Sequence, residues 1–112
     1  MVSGEKIEAA KVQLRDYELV LIINTEVGEE KFEAIIGNIS QFITGKGGAI
    51  DNDNIERWGK RKLAYPIKHF TEGNYVLARF KMKPALSREL QANLQIAEEV
   101  LRYLLIRLDS QE

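Results

Sequence analysis

Residues 57–70, RWGKRKLAYPIKHF, carry Arg57, Lys60, Arg61, Lys62 and Lys68, five cations within twelve residues. No acidic residue interrupts the chain from Arg57 to Thr71. Trp58, Tyr65 and Phe70 are interleaved with the cations, and Pro66 stiffens the backbone between them. These residue types at this spacing suit contact with a nucleic acid. Phosphates require several cations, because each one neutralised releases condensed counterions. Unpaired bases require aromatic rings or guanidinium planes on which to stack. A run of charge is most often only a solvated face. The length of the acid-free interval and the interleaved rings favour the binding reading here.

Catalytic and metal chemistry find no comparable grouping. His69 is the chain's one histidine, and no Ser or Cys adjoins it; a general base needs a positioned partner and a proton within reach. Glu29-Glu30 and Glu98-Glu99 fall at a helix start and near a helix end, where solvated charges are ordinary. Asp51 and Asp53, with Asn52 and Asn54, resemble part of a calcium loop, but the glycine at loop position six and the glutamate at twelve are missing. Gly45-Lys46-Gly47-Gly48 follows a helical pattern, whereas a phosphate cradle follows a strand and opens a helix. The sequence therefore predicts neither an enzyme nor a metal, cofactor or small-molecule substrate.

A chain of 112 residues is enough for one domain and too short for two ordinary ones. Its 45% apolar and 29% charged residues are those of a soluble globular protein. There is no cysteine, which excludes disulfides, thiolate metal sites and a cysteine nucleophile. No apolar run approaches the ~20 residues of a membrane span. Glu5, Lys6, Glu8, Lys11 and Arg15 leave no signal-peptide core in the first fifteen residues. The net charge of −1 argues against a uniformly basic surface and is silent on a local patch.

Regular elements must position that patch. DYELVLII, residues 16–23, is rich in β-branched and aromatic residues and reads as a strand ended by Asn24-Thr25. Phe32, Ile35, Ile36, Ile39 and Ile43 recur at helical spacing between Gly28 and Thr44, Glu29 and Glu30 suit the helix N-terminus, and the glycines from Gly45 stop the helix. AIDNDNIERW, from Ala49, suggests a strand with an exposed face. NYVLARFKM, after Gly73, alternates with period two. Pro84 opens a second helix with Leu86, Leu90, Leu94 and Ala97 on one face, and VLRYLLIRL, residues 100–108, is the last strand. The order βαββαβ, with right-handed crossovers, predicts an α+β ferredoxin-like two-layer sandwich: a four-stranded antiparallel sheet with both helices on one face. Residues 1–14 are expected to be a flexible N-terminal extension, residues 15–109 the domain, and 110–112 a C-terminal tail.

In such a sandwich Leu19, Leu21, Ile23, Val76, Ala78, Phe80 and Met82 face the helices, and Val20, Ile22, Tyr75 and Leu77 face away. An uncovered apolar sheet face invites a protein partner. Residues 72–80, EGNYVLARF, have the glycine of an RNA-recognition strand but lack the aromatic after it and the second glycine. The basic hairpin, rather than the sheet, is then the expected RNA platform. Within it, Trp58 and Leu63 are expected to pack and hold the loop while the cations and Tyr65 face outward.

DYELVLIIN, WGKRKLAYPIKHFTEGNYVLARFKM and VLRYLLIRL together resemble the bacterial small-subunit ribosomal protein S6 family over residues 15–109. The resemblance implies a structural constituent of the small ribosomal subunit that binds the central domain of the small-subunit ribosomal RNA with ribosomal protein S18 as partner. It implies a cytoplasmic location on the ribosome, without distinguishing a bacterial from an organellar one. Carried over position by position, it makes Arg15, Lys60, Arg61, Lys62, Tyr65 and Arg102 the RNA-facing residues. Where some relatives have one lysine, this chain has Lys68 followed by His69, and either is placed to make that contact. The alternative reading from another class is a ferredoxin-like regulatory module that senses a small molecule as a homodimer.

Overall fold

The computed structural model describes residues 13–108. The expected extension, residues 1–14, lies almost wholly outside them, as does the expected tail at 110–112. The elements are β1 (Arg15–Asn24), α1 (Glu29–Gly45), β2 (Ala49–Ile67), β3 (Phe70–Met82), a 3-10 turn (Pro84–Leu86), α2 (Ser87–Ile96) and β4 (Val100–Arg107). The sheet is antiparallel with order β2-β3-β1-β4, the ferredoxin-like arrangement that the element order predicts.

Both helical stripes are buried as their spacing requires. Ile35, Ile36, Ile39 and Ile43 of α1 and Leu90 and Leu94 of α2 pack on Tyr17, Leu19, Leu21, Ile23, Val76, Ala78, Phe80 and Met82 of the sheet. Tyr17 stacks on its cross-strand partner Phe80 at 6.0 Å between ring centroids. Phe32, Leu86 and Ala97 complete the stripes from the rim.

α1 ends in a Schellman motif. The Gly48 N–H donates to the carbonyl of Ile43 at 2.8 Å and the Gly47 N–H to that of Thr44 at 3.2 Å, with Gly47 at φ +90°. The next turn is too tight for a side chain. A Cβ built on Gly48 meets the carbonyl oxygens of Lys81 and Ile43 and, at 2.8 Å, Cγ2 of Ile43. The glycine run read as a helix stop thus also sets how closely β2 starts against β3.

The largest difference from the sequence reading is the length of β2 and β3. The basic stretch, expected as a loop or hairpin beyond a short strand, is itself strand as far as Ile67. Its alternation is hidden by register shifts between Ile50 and Ile55, Arg57 and Gly59, and Lys62 and Ile67. At the first shift Asp51–Asn54 oppose Arg79 alone. Pro66 is tolerated because β2 is an edge strand.

Gly48→Ala is expected to lower stability by about 1–3 kcal/mol in chemical denaturation, since two of the colliding atoms belong to fixed backbone. Gly37→Ala is the control. It lies on α1 with open space where its Cβ would sit, so it is expected to stabilise the protein by about 0.5–1 kcal/mol.

Candidate nucleic-acid interface

Beyond the last β1 pairing, Asn24 with Gly73, β2 and β3 continue as a two-stranded ribbon. It closes on Ile67 and Phe70 through a two-residue turn, Lys68-His69, with φ +49° and +74°. Positive φ at both central positions is the requirement of a type I′ turn, whose twist matches that of the strands. Neither residue is glycine, so the conformation is held at about 1–2 kcal/mol per residue against local preference. Lys68 and His69 are consequently neighbours at the exposed tip.

The ribbon does not project freely. Leu63 is buried against Ile22 of β1 and Leu101 of β4, with Ile67, Phe70 and Tyr75 around them. A Cβ on Gly73 would run into Cγ2 of Ile22 and reach Cδ2 of Leu63 at 3.6 Å. The missing side chain leaves room for Ile22, on which Leu63 packs. Further out, Arg102 of β4 donates from Nη1 to the Tyr65 hydroxyl at 3.0 Å, and its guanidinium carbon lies 5.5 Å from the Tyr65 ring centroid. The ribbon therefore folds over the sheet face opposite the helices.

Strand alternation divides the central cations. Lys60 pairs with Asn74, Arg61 with Gly73 and Lys62 with Glu72. Arg61 shares the open face with Ile22 and Tyr75, whereas Lys60 and Lys62 point to the other side of the ribbon. No ion pair holds Lys60, Arg61, Lys62 or Lys68 among the described residues. Arg15 is not part of this group. It starts β1 opposite Met82, nine residues from Asn24, which separates it from the ribbon by about 30 Å along the strand.

Trp58 corrects an expectation. It does not pack to hold the loop: it is 42% exposed, with its Nε1–H donating to Glu56 at 2.8 Å and Arg61 5.6 Å from the ring centroid. It sits in the register shift between Arg57 and Gly59, so the alternation that would have turned it inward is broken. Leu63 does pack as expected. Arg57 is drawn out of the patch by a two-point contact with Glu33 of α1, Nε to Oε2 at 2.9 Å and Nη2 to Oε1 at 2.8 Å.

On the open face, Ile22 and Leu77 are buried within the chain itself, while Val20 and Tyr75 are half-buried. Ile22 is covered by the folded ribbon. Leu104 and Ile106, opposite Val20 and Glu18, remain exposed there. Pairing with Val20 places Leu104 on this face. The rest of this face is crossed by ion pairs, Arg79 to Glu18 at 3.3 Å and to Glu56 at 3.9 Å.

The hydrogen bonds from Arg57 hold the Glu33 carboxyl below its ordinary value of 4.5. A lowered carboxylate stabilises the fold above the unfolded pKa and loses that contribution as pH falls through the folded value. Both side chains are over a third exposed, so solvent screens the pair to about 0.2–1 kcal/mol. Glu33→Gln is expected to lose that amount at neutral pH, with the difference from the parent chain closing as pH falls below 4.5 in pH-dependent denaturation.

Comparison with known proteins gives this geometry its context. The family model for ribosomal protein S6 matches residues 16–107. The small ribosomal subunit protein bS6 of Dehalococcoides mccartyi strain 195 is 42% identical over 99% of this chain and 100% of its own length. That of Caldanaerobacter subterraneus is 43% identical over 86% of this chain and 99% of its own. The crystal structure of 30S ribosomal protein S6 from Thermotoga maritima superposes with a TM-score of 0.77 at 33% identity, covering 85% of this chain and 88% of that one. The match with the Dehalococcoides protein extends over the N-terminal segment, so that segment is shared with a relative. These relatives are bacterial. The chain belongs to the ribosomal protein S6 family and is a structural constituent of the small ribosomal subunit, not an enzyme.

Proposed function

We propose that the chain binds small-subunit ribosomal RNA through the β2–β3 ribbon and does so together with ribosomal protein S18. The observation that carries the reading is the ribbon itself. Lys60, Arg61, Lys62 and Lys68 are exposed and unpaired with acids among the described residues, and Tyr65 beside them is 56% exposed. With cations on both sides of a narrow ribbon, RNA can be met on two surfaces at once, as a hairpin lying between RNA segments would be. Arg15, far down β1, fits a contact separate from that of the ribbon. The partner has a surface of the right kind in Leu104, Ile106, Val20 and Tyr75, bordered by the Glu18–Arg79–Glu56 ion pairs. A heterodimer of this sort accounts for a net charge of only −1, since a local patch then carries the RNA contact.

The combined Lys60→Ala, Arg61→Ala and Lys62→Ala variant is expected to bind a central-domain transcript more weakly. Its log–log salt slope should fall by roughly 0.7–0.9 for each phosphate contact removed. Equilibrium binding across a salt series measures both, and a slope equal to that of the parent removes these residues from the interface. Single variants then separate the two sides of the ribbon.

Adding S18 is expected to raise the affinity for the transcript strongly. Leu104→Glu, at an exposed position, should abolish that increase while leaving the thermal midpoint of the chain alone within a few degrees. Equal affinity with and without S18 would sink the partnered reading.

A further inference from the structure

We propose that Arg102 is a positioning residue, which clamps Tyr65 so that the free face of its ring is presented to an unpaired base. The inference rests on the RNA-binding reading above and assigns Arg102 a role other than direct phosphate contact. Arg102 stands on β4, across from Ile22, at the opposite edge of the sheet from β2. It reaches Tyr65 only because Leu63 brings the ribbon over the open face. The contact has two parts. The Nη1 hydrogen bond to the hydroxyl, at 3.0 Å, fixes the end of the ring, and the guanidinium 5.5 Å from the centroid fixes its tilt. Together they select one orientation for a side chain that otherwise rotates freely on an edge strand.

The ring nevertheless stays 56% exposed with the cation over it, which leaves room for a base on the face away from the guanidinium. A ring held flat with an open face is a stacking platform for a base, and every base offers a π-face to it. Arg61 over Trp58, with the indole N–H fixed by Glu56, repeats the construction lower on β2.

The test uses the full chain, S18 and the central-domain transcript. Tyr65→Ala is expected to weaken binding about tenfold, the effect of losing one stacked base. Arg102→Ala should weaken it about five- to tenfold with the salt slope unchanged, and should add less than twofold in the Tyr65→Ala background. Arg102→Lys should behave like Arg102→Ala, because it keeps the charge but loses the planar fork. A direct phosphate contact gives the opposite pattern and overturns the proposal: Arg102→Lys close to the parent, a slope reduced by about one, and an effect that adds in full to that of Tyr65→Ala. A parent chain without RNA affinity overturns the platform together with the reading beneath it. The clamp itself is then judged on the free protein, where the same double-mutant cycle in denaturant should show a coupling of about two- to fivefold in the folding equilibrium. No coupling there overturns the clamp.

Discussion

The seating of Leu63 on Ile22 and Leu101, beside the bare backbone of Gly73, is the contact on which the placement of the ribbon depends. A two-stranded ribbon alone is marginally stable in water and strongly twisted. Here it is tied to a four-stranded sheet by one buried leucine and a glycine that leaves room for Ile22 beneath it. That tie converts a projecting hairpin into a fold-over. It puts Tyr65 within reach of Arg102, buries Ile22, and leaves Leu104 and Ile106 uncovered on the open face.

The same constraint explains how a nearly neutral chain has a basic patch. In the body of the domain, cations are matched locally: Arg57 by Glu33, Arg79 by Glu18 and Glu56, and Lys81 by Asp16 at 3.5 Å. At the ribbon, Lys60, Lys62 and Lys68 have no such ion pair among the described residues, although Glu72 stands opposite Lys62 in the register. Local positive density follows from topology as much as from composition. Because these groups are exposed, solvation keeps their mutual repulsion small at physiological salt.

Much of the sandwich was legible in the sequence, and what was not has one physical source. Helical spacing in Phe32–Ile43 and Leu86–Ala97, and strict alternation in NYVLARFKM, report burial against a single layer, which is a local pattern. β2 has no such layer over most of its length, and three register shifts erase what alternation it has. Its length was therefore invisible, and with it the separation of Arg61 from Lys60 and Lys62. Trp58 was misread for the same reason: a large ring suggests a core, but a bulge on an edge strand has no core to offer it. The ionic and stacking partners Glu33, Glu56 and Arg102 lie 24, 2 and 37 residues from Arg57, Trp58 and Tyr65. Of these, only the second is near enough in sequence to have been suspected.

The tip of the ribbon shows where local preference and placement disagree. A two-residue type I′ turn is most readily made by Asn-Gly, which reaches positive φ with little strain. Lys68-His69 makes the same turn with two side chains that resist it, at φ +49° and +74°. No buried contact of either residue compensates, since both are exposed. The strain is instead sustained from below, by the Ile67–Phe70 pair and the apolar cluster under it, which fix the strand ends and leave the two residues no other path. Strain of this kind persists only where surrounding structure over-determines it. The result is a cation and an imidazole at the outermost point of the ribbon, where an Asn-Gly turn would leave a quieter and more stable end. Local consistency gives way at the tip of the ribbon, where the proposed RNA contact would have a use for exposed charge.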